Sequence, residues 1–531
     1  MLPETADYVI AGGGSAGCVL ANRLSEDPAN SVVLLEAGRD SDGFMKRMPA
    51  GGMKLMFGEN DWCHVTEPDP SINGRRMSWN AGKLLGGSSA INGMIYIRGD
   101  RADYDQWAHE LGCTGWAWHD VLPYFQKSEG FIGKAGPASH ATEGPLGVAL
   151  PRMQHPLARI FIDGCVEYGL RRVEDYCDGD VDGAFLMYVT QRNGQRSSTA
   201  RAFLDAAQNR RNLAVVTGAF VDKVLIEKGR ATGVQFFKDG ELRTLQATRE
   251  VIVSTGAVCS PTVLMRSGVG PAAHLQSLGI DVKVDSPEVG RNLQEHASYH
   301  STFQVTIPTY NTMMRPLILA REFLRYLLTS NGLMTIVPVE AMAYLRSNPN
   351  LAEPDIKLSF GLMCYDFSTR KPHRLPGVTV YANAAKPKSR GEIRLRSTDP
   401  LDKPVIDHRL LGDPEDVASI VSGAKQIQAL FRTPSLSRVT VAGFTPKPVP
   451  QTDDEWEQRV RNECGIGYHP VGTCRMGADA RSVVDPELRV RGVTSLRVAD
   501  ASIMPIMPAA NTNAPAIMIG EKAADLIGRG R

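Results

Sequence analysis

One stretch near the start of the chain restricts the fold more than any other. Tyr8-Val-Ile-Ala-Gly-Gly-Gly-Ser-Ala-Gly17 joins a short apolar run to a glycine cluster. Val9, Ile10 and Ala11 read as a strand covered on both faces of a parallel sheet. Gly12, Gly14 and Gly17 fill the spacing G-x-G-x-x-G. In that pattern the first glycine permits a tight turn and the second lets the backbone approach a diphosphate. The third lets helix and strand pack closely. Ala16, Val19, Leu20 and Leu24 then recur at helical spacing, so a helix starts at the loop and aims its first N–H groups at a diphosphate. Val32-Val-Leu-Leu-Glu36 is the next strand, and its acid lies 19 residues past Gly17. A carboxylate there meets a ribose 2′-hydroxyl and repels a 2′-phosphate. The pattern predicts a dinucleotide-binding α/β domain, and by itself it does not separate FAD from NAD.

The chain has 531 residues, enough for a large core and two domains. Fifty-nine basic and 58 acidic side chains leave a formal charge of +1, which gives no reason to expect nucleic acid as a partner. Nine cysteines are scattered without a C-x-x-C pair. That argues against a disulfide framework or a zinc site and for a reducing compartment, the cytoplasm. The first strand begins by Asp7, which leaves no room for a signal peptide. No apolar run approaches the roughly 18 residues of a membrane span.

Further along, 43–58 reads as loop, and Trp62 either stacks on a flat ring or packs in a core. Residues 103–127 read as two amphipathic helices, and 130–147 as a surface loop with a solvated His140. Short apolar runs at 213–216, 221–226, 233–237 and 250–254 read as strands returning to the nucleotide domain. Residues 310–335, rich in Met, Leu and Arg, predict a helix that packs normally, covers a pocket mouth or rests on a membrane surface. Runs at 357–365, 378–382 and 391–396 predict an antiparallel sheet, and 413–431 a helix. This middle block carries no nucleotide signal and reads as a substrate domain.

Two dense stretches, with two others, carry a family resemblance. Gly82, Lys83, Leu85, Gly86, Gly87, Ser88, Ser89, Ile91, Asn92 and Tyr96 fit the first signature of the glucose–methanol–choline flavin oxidoreductases. Gly256, Ala257, Ser260, Pro261, Val263, Leu264, Ser267, Gly268, Val269 and Gly270 fit the second. Gly290-Arg-Asn-Leu-Gln-Glu-His296 resembles a third motif, with Glu295 in place of aspartate; His296 reads as structural. Tyr468-His-Pro-Val-Gly-Thr-Cys-Arg-Met-Gly477 is similar to the segment that supplies the catalytic histidine. The branch it most resembles is that of the choline-dehydrogenase-like and aliphatic alcohol dehydrogenases.

The resemblance implies a Rossmann-like FAD-binding domain, discontinuous over 1–155, 195–305 and 462–531. A substrate-binding domain on an antiparallel sheet with helices would take 156–194 and 306–461. It implies FAD held by Gly12, Gly14, Ser15, Ala16, Gly17, Glu36, Ala37, Trp62, Gly82, Gly87, Ser88, Asn92, Gly93, Ile95, Val221, Asp500, Ala501 and Thr512. Members with covalent flavin carry a histidine near Ile91; none stands there in this chain, so the flavin is expected to be non-covalent. The reaction implied is oxidation of a primary alcohol to the aldehyde by hydride transfer to flavin N5. His469 is the general base, and Asn513, 44 residues later, positions the hydroxyl. A base of ordinary pKa, about 6.5, would make the rate rise with pH through that range. The acceptor is a quinone, an electron-transfer protein or O2, the last making the enzyme an oxidase. A flavin-dependent lyase on this fold, an NAD-linked dehydrogenase and a non-catalytic flavin-binding protein are the other readings. Loop histidines exchange protons near neutrality, and a neighbouring amide holds an oxygen without competing for the proton.

Overall fold

The structure is a computed structural model that describes residues 3–39, 43–133, 139–366 and 371–529. Its first sheet has seven strands. Thr5–Ala11, the opening apolar run, lies at its centre, parallel to Val32–Glu36 on one side and to Glu241–Val253 on the other. Leu213–Thr217 continues the parallel sheet beyond Val32–Glu36, and Leu496–Val498 joins Glu241–Val253. Val9, Ile10, Ala11, Leu34 and Leu35 are fully buried, as a strand with both faces covered requires. Arg230–Lys238 and Ala219–Glu227 extend the sheet as an antiparallel meander. The helix Ser15–Leu24 follows the glycine turn and packs against the last helix, Asn513–Arg529. Both ends of the chain therefore meet at the glycine loop.

The second sheet also has seven strands, all antiparallel. Its middle is Ala297–Val305, Gly377–Ala384 and Ile356–Gly361. Side chains alternate across it with period two. Ile356, Leu358, Phe360, Val380 and Ala382 pack with Ile427 and Leu430 of helix Pro414–Leu430 and with Leu157 and Phe161 of helix Pro156–Glu167. The intervening residues Lys357, Ser359, Gly361, Tyr381 and Asn383 face a cavity between the sheets. An α/β layer joined to a sheet-based domain is the expected fold class. Ala297–Val305, within the segment expected in the nucleotide domain, pairs in the second sheet, because its cross-strand partners lie on Gly377–Ala384 and Thr440–Thr445.

Local differences have local causes. Residues 43–58 are not all loop: they form the short helix Phe44–Arg47 and the 3-10 turn Pro49–Lys54. Strands Glu129–Ile132 and Leu146–Ala149 flank the region read as a surface loop, whose residues 134–138 lie outside the described ones. His140 is buried rather than solvated, since it stacks on Phe131 and its Nδ1 meets the Glu129 carboxylate at 3.0 Å. Glu129 also pairs with Arg98 at 2.9 Å, and both side chains are wholly buried. Arg98 donates further to the carbonyls of Ser139 and Cys177. Removing one partner of such a pair strands a buried charge. Arg98→Met is expected to destabilise the protein by about 3–5 kcal/mol, read as a lower denaturant midpoint. An unchanged midpoint would contradict the role given to this pair.

Candidate active site

A cavity of about 900 Å³ runs from the glycine loop to the second sheet. At its first end the chain leaves the opening strand at Gly12, whose φ is +102°. A Cβ there would sit 2.4 Å from the Ser254 carbonyl oxygen. A Cβ on Gly17 would sit 1.9 Å from the Gly12 oxygen, so Gly17 acts in helix packing and does not line the cavity. Gly14 is different: the nearest atom to a Cβ there is 3.9 Å away. It caps the helix Ser15–Leu24 without a side-chain hydrogen bond. That leaves a helix N-terminus bordering the cavity, the arrangement that receives a phosphate.

Glu36 closes this end. Its Oε2 accepts from Gly13 N at 2.8 Å and its Oε1 from Gly38 N at 2.7 Å. Burial pushes its carboxyl up to about 7 despite those two bonds. Such a carboxyl gains from a ligand hydroxyl. The second glycine stretch lies on the first: Gly86 N donates to Gly13 O at 2.8 Å, and a Cβ on Gly87 would come within 2.8 Å of Gly14 Cα. Only glycine backbones approach each other this closely. Ser88 Oγ accepts from Gly82 N, and Asn92 Oδ1 from Arg196 at 2.8 Å. Trp62 stacks with His64 and lies under the Lys83 ammonium. Asp500 accepts from Gly256 N, Ser260 Oγ and Ser502 N, tying three segments together. Ser15, Ala16, Ala37, Gly93, Ile95, Val221, Ala501 and Thr512 line the same cavity. Of the cofactor residues expected from sequence, Gly17 alone does not.

At the far end His469 enters from the loop after Gly465–Ile466. Its backbone N–H donates to the Glu295 carboxylate at 2.9 Å. Its Nδ1 meets Nδ1 of His296 at 3.0 Å, with the rings nearly perpendicular. His296 Nε2 meets the Ala385 carbonyl oxygen at 3.1 Å. A carbonyl only accepts, so His296 carries its proton on Nε2, and its Nδ1 must accept. His469 therefore donates from Nδ1, and its Nε2 keeps the free lone pair. Asn511 Nδ2 donates to that nitrogen at 2.9 Å. The chain of polar groups thus assigns one tautomer to each ring. Burial, together with the nearby Lys357 ammonium, holds His469 well below the ordinary imidazole range, and His296 likewise. Lys357 is 1 % exposed and its amine has no hydrogen-bond partner. Burial draws it down to about 7 and pushes Glu295 up to about 8.

The asparagine beside His469 is Asn511, not Asn513. Asn513 already begins the last helix, and its Oδ1 accepts from the Ser15 hydroxyl at 2.8 Å. Asn511 lies two residues earlier in the loop and reaches the imidazole. Its Oδ1 is buried without a partner. A spacing count could not separate the two asparagines of Asn511-Thr-Asn513. His296, read as structural, touches the candidate base directly. Lys357 gave no sequence signal at all, since a lysine in a strand reads as solvated.

The chain is similar to known proteins over nearly its whole length. The sequence pattern of GMC oxidoreductases matches residues 6–298, and its C-terminal counterpart matches 387–520. The chain is 40% identical over 529 residues to the oxygen-dependent choline dehydrogenase of Sinorhizobium medicae, covering 98% of this chain and 95% of that protein. It is 39% identical over 534 residues to the alcohol dehydrogenase [acceptor] of Pseudomonas putida, covering 98% and 96%. Among solved structures, pyridoxine 4-oxidase from Mesorbium loti superposes with a TM-score of 0.89 at 30% identity over 98% of each chain. A formate oxidase superposes at 0.93 with 27% identity, over 100% of this chain and 99% of the other. If Glu36 holds the cofactor ribose, Glu36→Arg should purify with little bound flavin, read from visible absorbance. Full flavin content in that variant would contradict the assignment.

Proposed function

This chain belongs to the GMC oxidoreductase family and is an FAD-dependent oxidoreductase acting on CH–OH donors; from that premise we propose that it oxidises a primary alcohol to the aldehyde with His469 as general base. FAD, when bound, supplies the hydride acceptor that a polypeptide lacks. Gly14 and Ser15 at the helix start would hold its diphosphate and Glu36 its ribose. The Gly82–Gly93 segment would flank its ring. Ile91 stands where covalent members carry histidine, which supports non-covalent binding. Segments 1–155, 195–305 and 462–531 would form the FAD domain, with 297–305 shared into the second sheet.

The observation that carries the mechanism is the free lone pair on His469 Nε2, fixed by the chain from Ala385 through His296. An alcohol hydroxyl that displaces Asn511 from Nε2 donates its proton to that nitrogen. Asn511 Nδ2 is then released to donate to the alcohol oxygen, which gains negative charge as the proton leaves. The proton stays on His469 Nε2, and the Nδ1 bond to His296 keeps the ring from rotating. Glu295, by holding the His469 backbone, fixes the position from which the ring reaches the cavity.

The cavity-facing residues of the second sheet suggest the substrate class. Ser298, Lys357, Ser359, Tyr381 and Asn383 include no acid. Asp399 and Asp402 line the cavity away from this wall; against the wall itself a quaternary ammonium would meet Lys357, so the reading favours an uncharged alcohol over choline. Choline should be a poorer substrate than its uncharged isostere carrying a tert-butyl group, and Lys357→Met should narrow the gap in kcat/KM. Preference for choline in the wild type would reject this.

Two further outcomes test the mechanism. His469→Ala should keep its flavin yet reduce it roughly 10²–10⁴-fold more slowly. Asn511→Ala should cost about 1.5–3 kcal/mol of barrier and Asn513→Ala less. Stopped-flow bleaching with an alcohol under anaerobic conditions measures all three, and near-wild-type reduction by flavin-loaded His469→Ala would remove it from the mechanism. The sign of the pH dependence follows from the depressed His469 pKa. Protonation removes the lone pair, so the rate falls only at pH values below the ordinary imidazole range. Reduction should lack the rise near 6.5 that an unperturbed histidine would give, and any change between about pH 7 and 8 follows Lys357 and Glu295. A rise centred on the ordinary imidazole range that His469→Ala abolishes would contradict the depressed pKa.

A further inference from the structure

The helix Pro316–Thr329 is built inside out. Its apolar residues recur at helical spacing, as in a helix that covers a core, but they point to solvent. Leu317 is 87% exposed, Leu328 76%, Leu324 57%, Leu327 54% and Phe323 39%. The residues it buries are Glu322 and Tyr326. Glu322 accepts from Leu333 N at 3.2 Å and pairs with Arg321 and Arg325. A Cβ on Gly332 would come within 2.6 Å of the Glu322 carboxylate. The helix is therefore anchored by Glu322 to the turn at 332–335 and by Tyr326 and Leu319 to Met48 and Met334, and Leu317, Phe323, Leu324, Leu327 and Leu328 are left as a surface. Phe44, itself exposed, extends that surface and meets Phe323 edge-on at 5.7 Å. Contiguous apolar surface of this kind marks a contact site.

Charge says what it contacts. Arg315, Arg321 and Arg325 are exposed around the leucines, Arg47 is exposed beside Phe44, and the helix has Glu322 as its one acid. The whole chain carries only +1, so this cationic rim is local. A second copy of the chain would present the same arginines and repel them. A bilayer with anionic headgroups accommodates both leucines and arginines. At 14 residues the helix is too short to cross a membrane, and no described helix is long and apolar enough to do so. The chain runs from this helix through the 332–335 turn into Ile336, Val337 and Pro338, which line the active-site cavity. Pro338 both lines the cavity and is exposed, so one edge of the cavity lies on the segment that follows the helix.

We propose that Pro316–Thr329 and Phe44 form a monotopic docking surface for an anionic lipid bilayer, with the cavity mouth set against the lipid. Alcohols and electron acceptors dissolved in the membrane would then reach the cavity without crossing water. The proposal rests on the surface and is independent of the reading of His469.

The test is flotation of the flavin-loaded, full-length protein with vesicles of phosphatidylcholine alone or mixed with phosphatidylglycerol. The wild type should float with the mixed vesicles and much less with the neutral ones. Leu317→Ser/Leu324→Ser/Leu328→Ser should reduce partition on the order of tenfold or more, while turnover of a water-soluble alcohol with a soluble dye is unchanged. Arg315→Gln/Arg321→Gln should remove the preference for anionic vesicles and leave a weak apolar binding. Wild-type protein that stays out of the vesicle fraction, or a triple-serine variant that floats as well as wild type, would overturn the proposal. Light scattering covers the remaining case: a dimer that the serine substitutions convert to monomer would assign the surface to a second copy and reject the membrane.

Discussion

The hydrogen bond between the two imidazoles of His296 and His469 organises the active end of this protein. An imidazole–imidazole bond needs one ring to donate and the other to accept, so it is indifferent to direction until a third group decides. Here the Ala385 carbonyl decides. It lies just past the strand Gly377–Ala384, while His296 immediately precedes Ala297–Val305. These two strands are neighbours in the second sheet. Strand pairing, a backbone property, thereby fixes which nitrogen of His469 faces the cavity. Protonating His296 on Nδ1 breaks the bond between the rings, and protonating His469 on Nε2 sets two donors against each other at Asn511, which is why the resting pair is neutral in a buried setting. This assignment needs no charged partner, and the Glu295 carboxylate is spent on backbone N–H groups.

The other end of the cavity is organised by backbone alone. Two glycine-rich segments lie against each other, and two helix starts, at Ser15 and Asn513, are joined by a side-chain hydrogen bond. Asn513 thus couples the glycine loop to the loop that carries Asn511. On the proposed mechanism the two asparagines serve opposite ends of one assembly: one steadies the cofactor limb, the other meets the substrate. The parallel sheet holds the first limb and the antiparallel sheet supplies the wall of the second. This division explains why a single cavity spans both.

Much of this was legible in the sequence, for reasons that differ by residue. The opening strand, turn, helix and Glu36 were readable because each is a local consequence of apolar runs and glycine spacing. The strands Ile356–Gly361 and Gly377–Ala384 and the helix Pro414–Leu430 were readable from periodicity, whereas Glu392–Arg394, expected in the same antiparallel sheet, pairs with Val405–Asp407 in a separate two-stranded sheet. The exchange of Asn511 for Asn513 was not readable, because it depends on where the last helix begins, within two residues. His140 was read as solvated since its neighbours in sequence are loop formers; its partners, Glu129 and Phe131, lie across a strand pair. Lys357 and the leucine helix share one cause. Each violates the rule that charges face out and leucines face in; periodicity left the leucine helix three readings, and the side that is covered depends on what packs against it.

The central claim is the tautomer assignment, and nitrogen NMR of the imidazoles measures it directly. The protein has 11 histidines. Labelling them with nitrogen-15 and comparing wild type with His296→Ala and His469→Ala would assign the two rings. At neutral pH the account predicts two neutral imidazoles, with the proton on Nδ1 in His469 and on Nε2 in His296. An imidazolium signal from either ring, or a His469 protonated on Nε2, would contradict it, because the nitrogen facing the cavity would then have no lone pair to accept the alcohol proton.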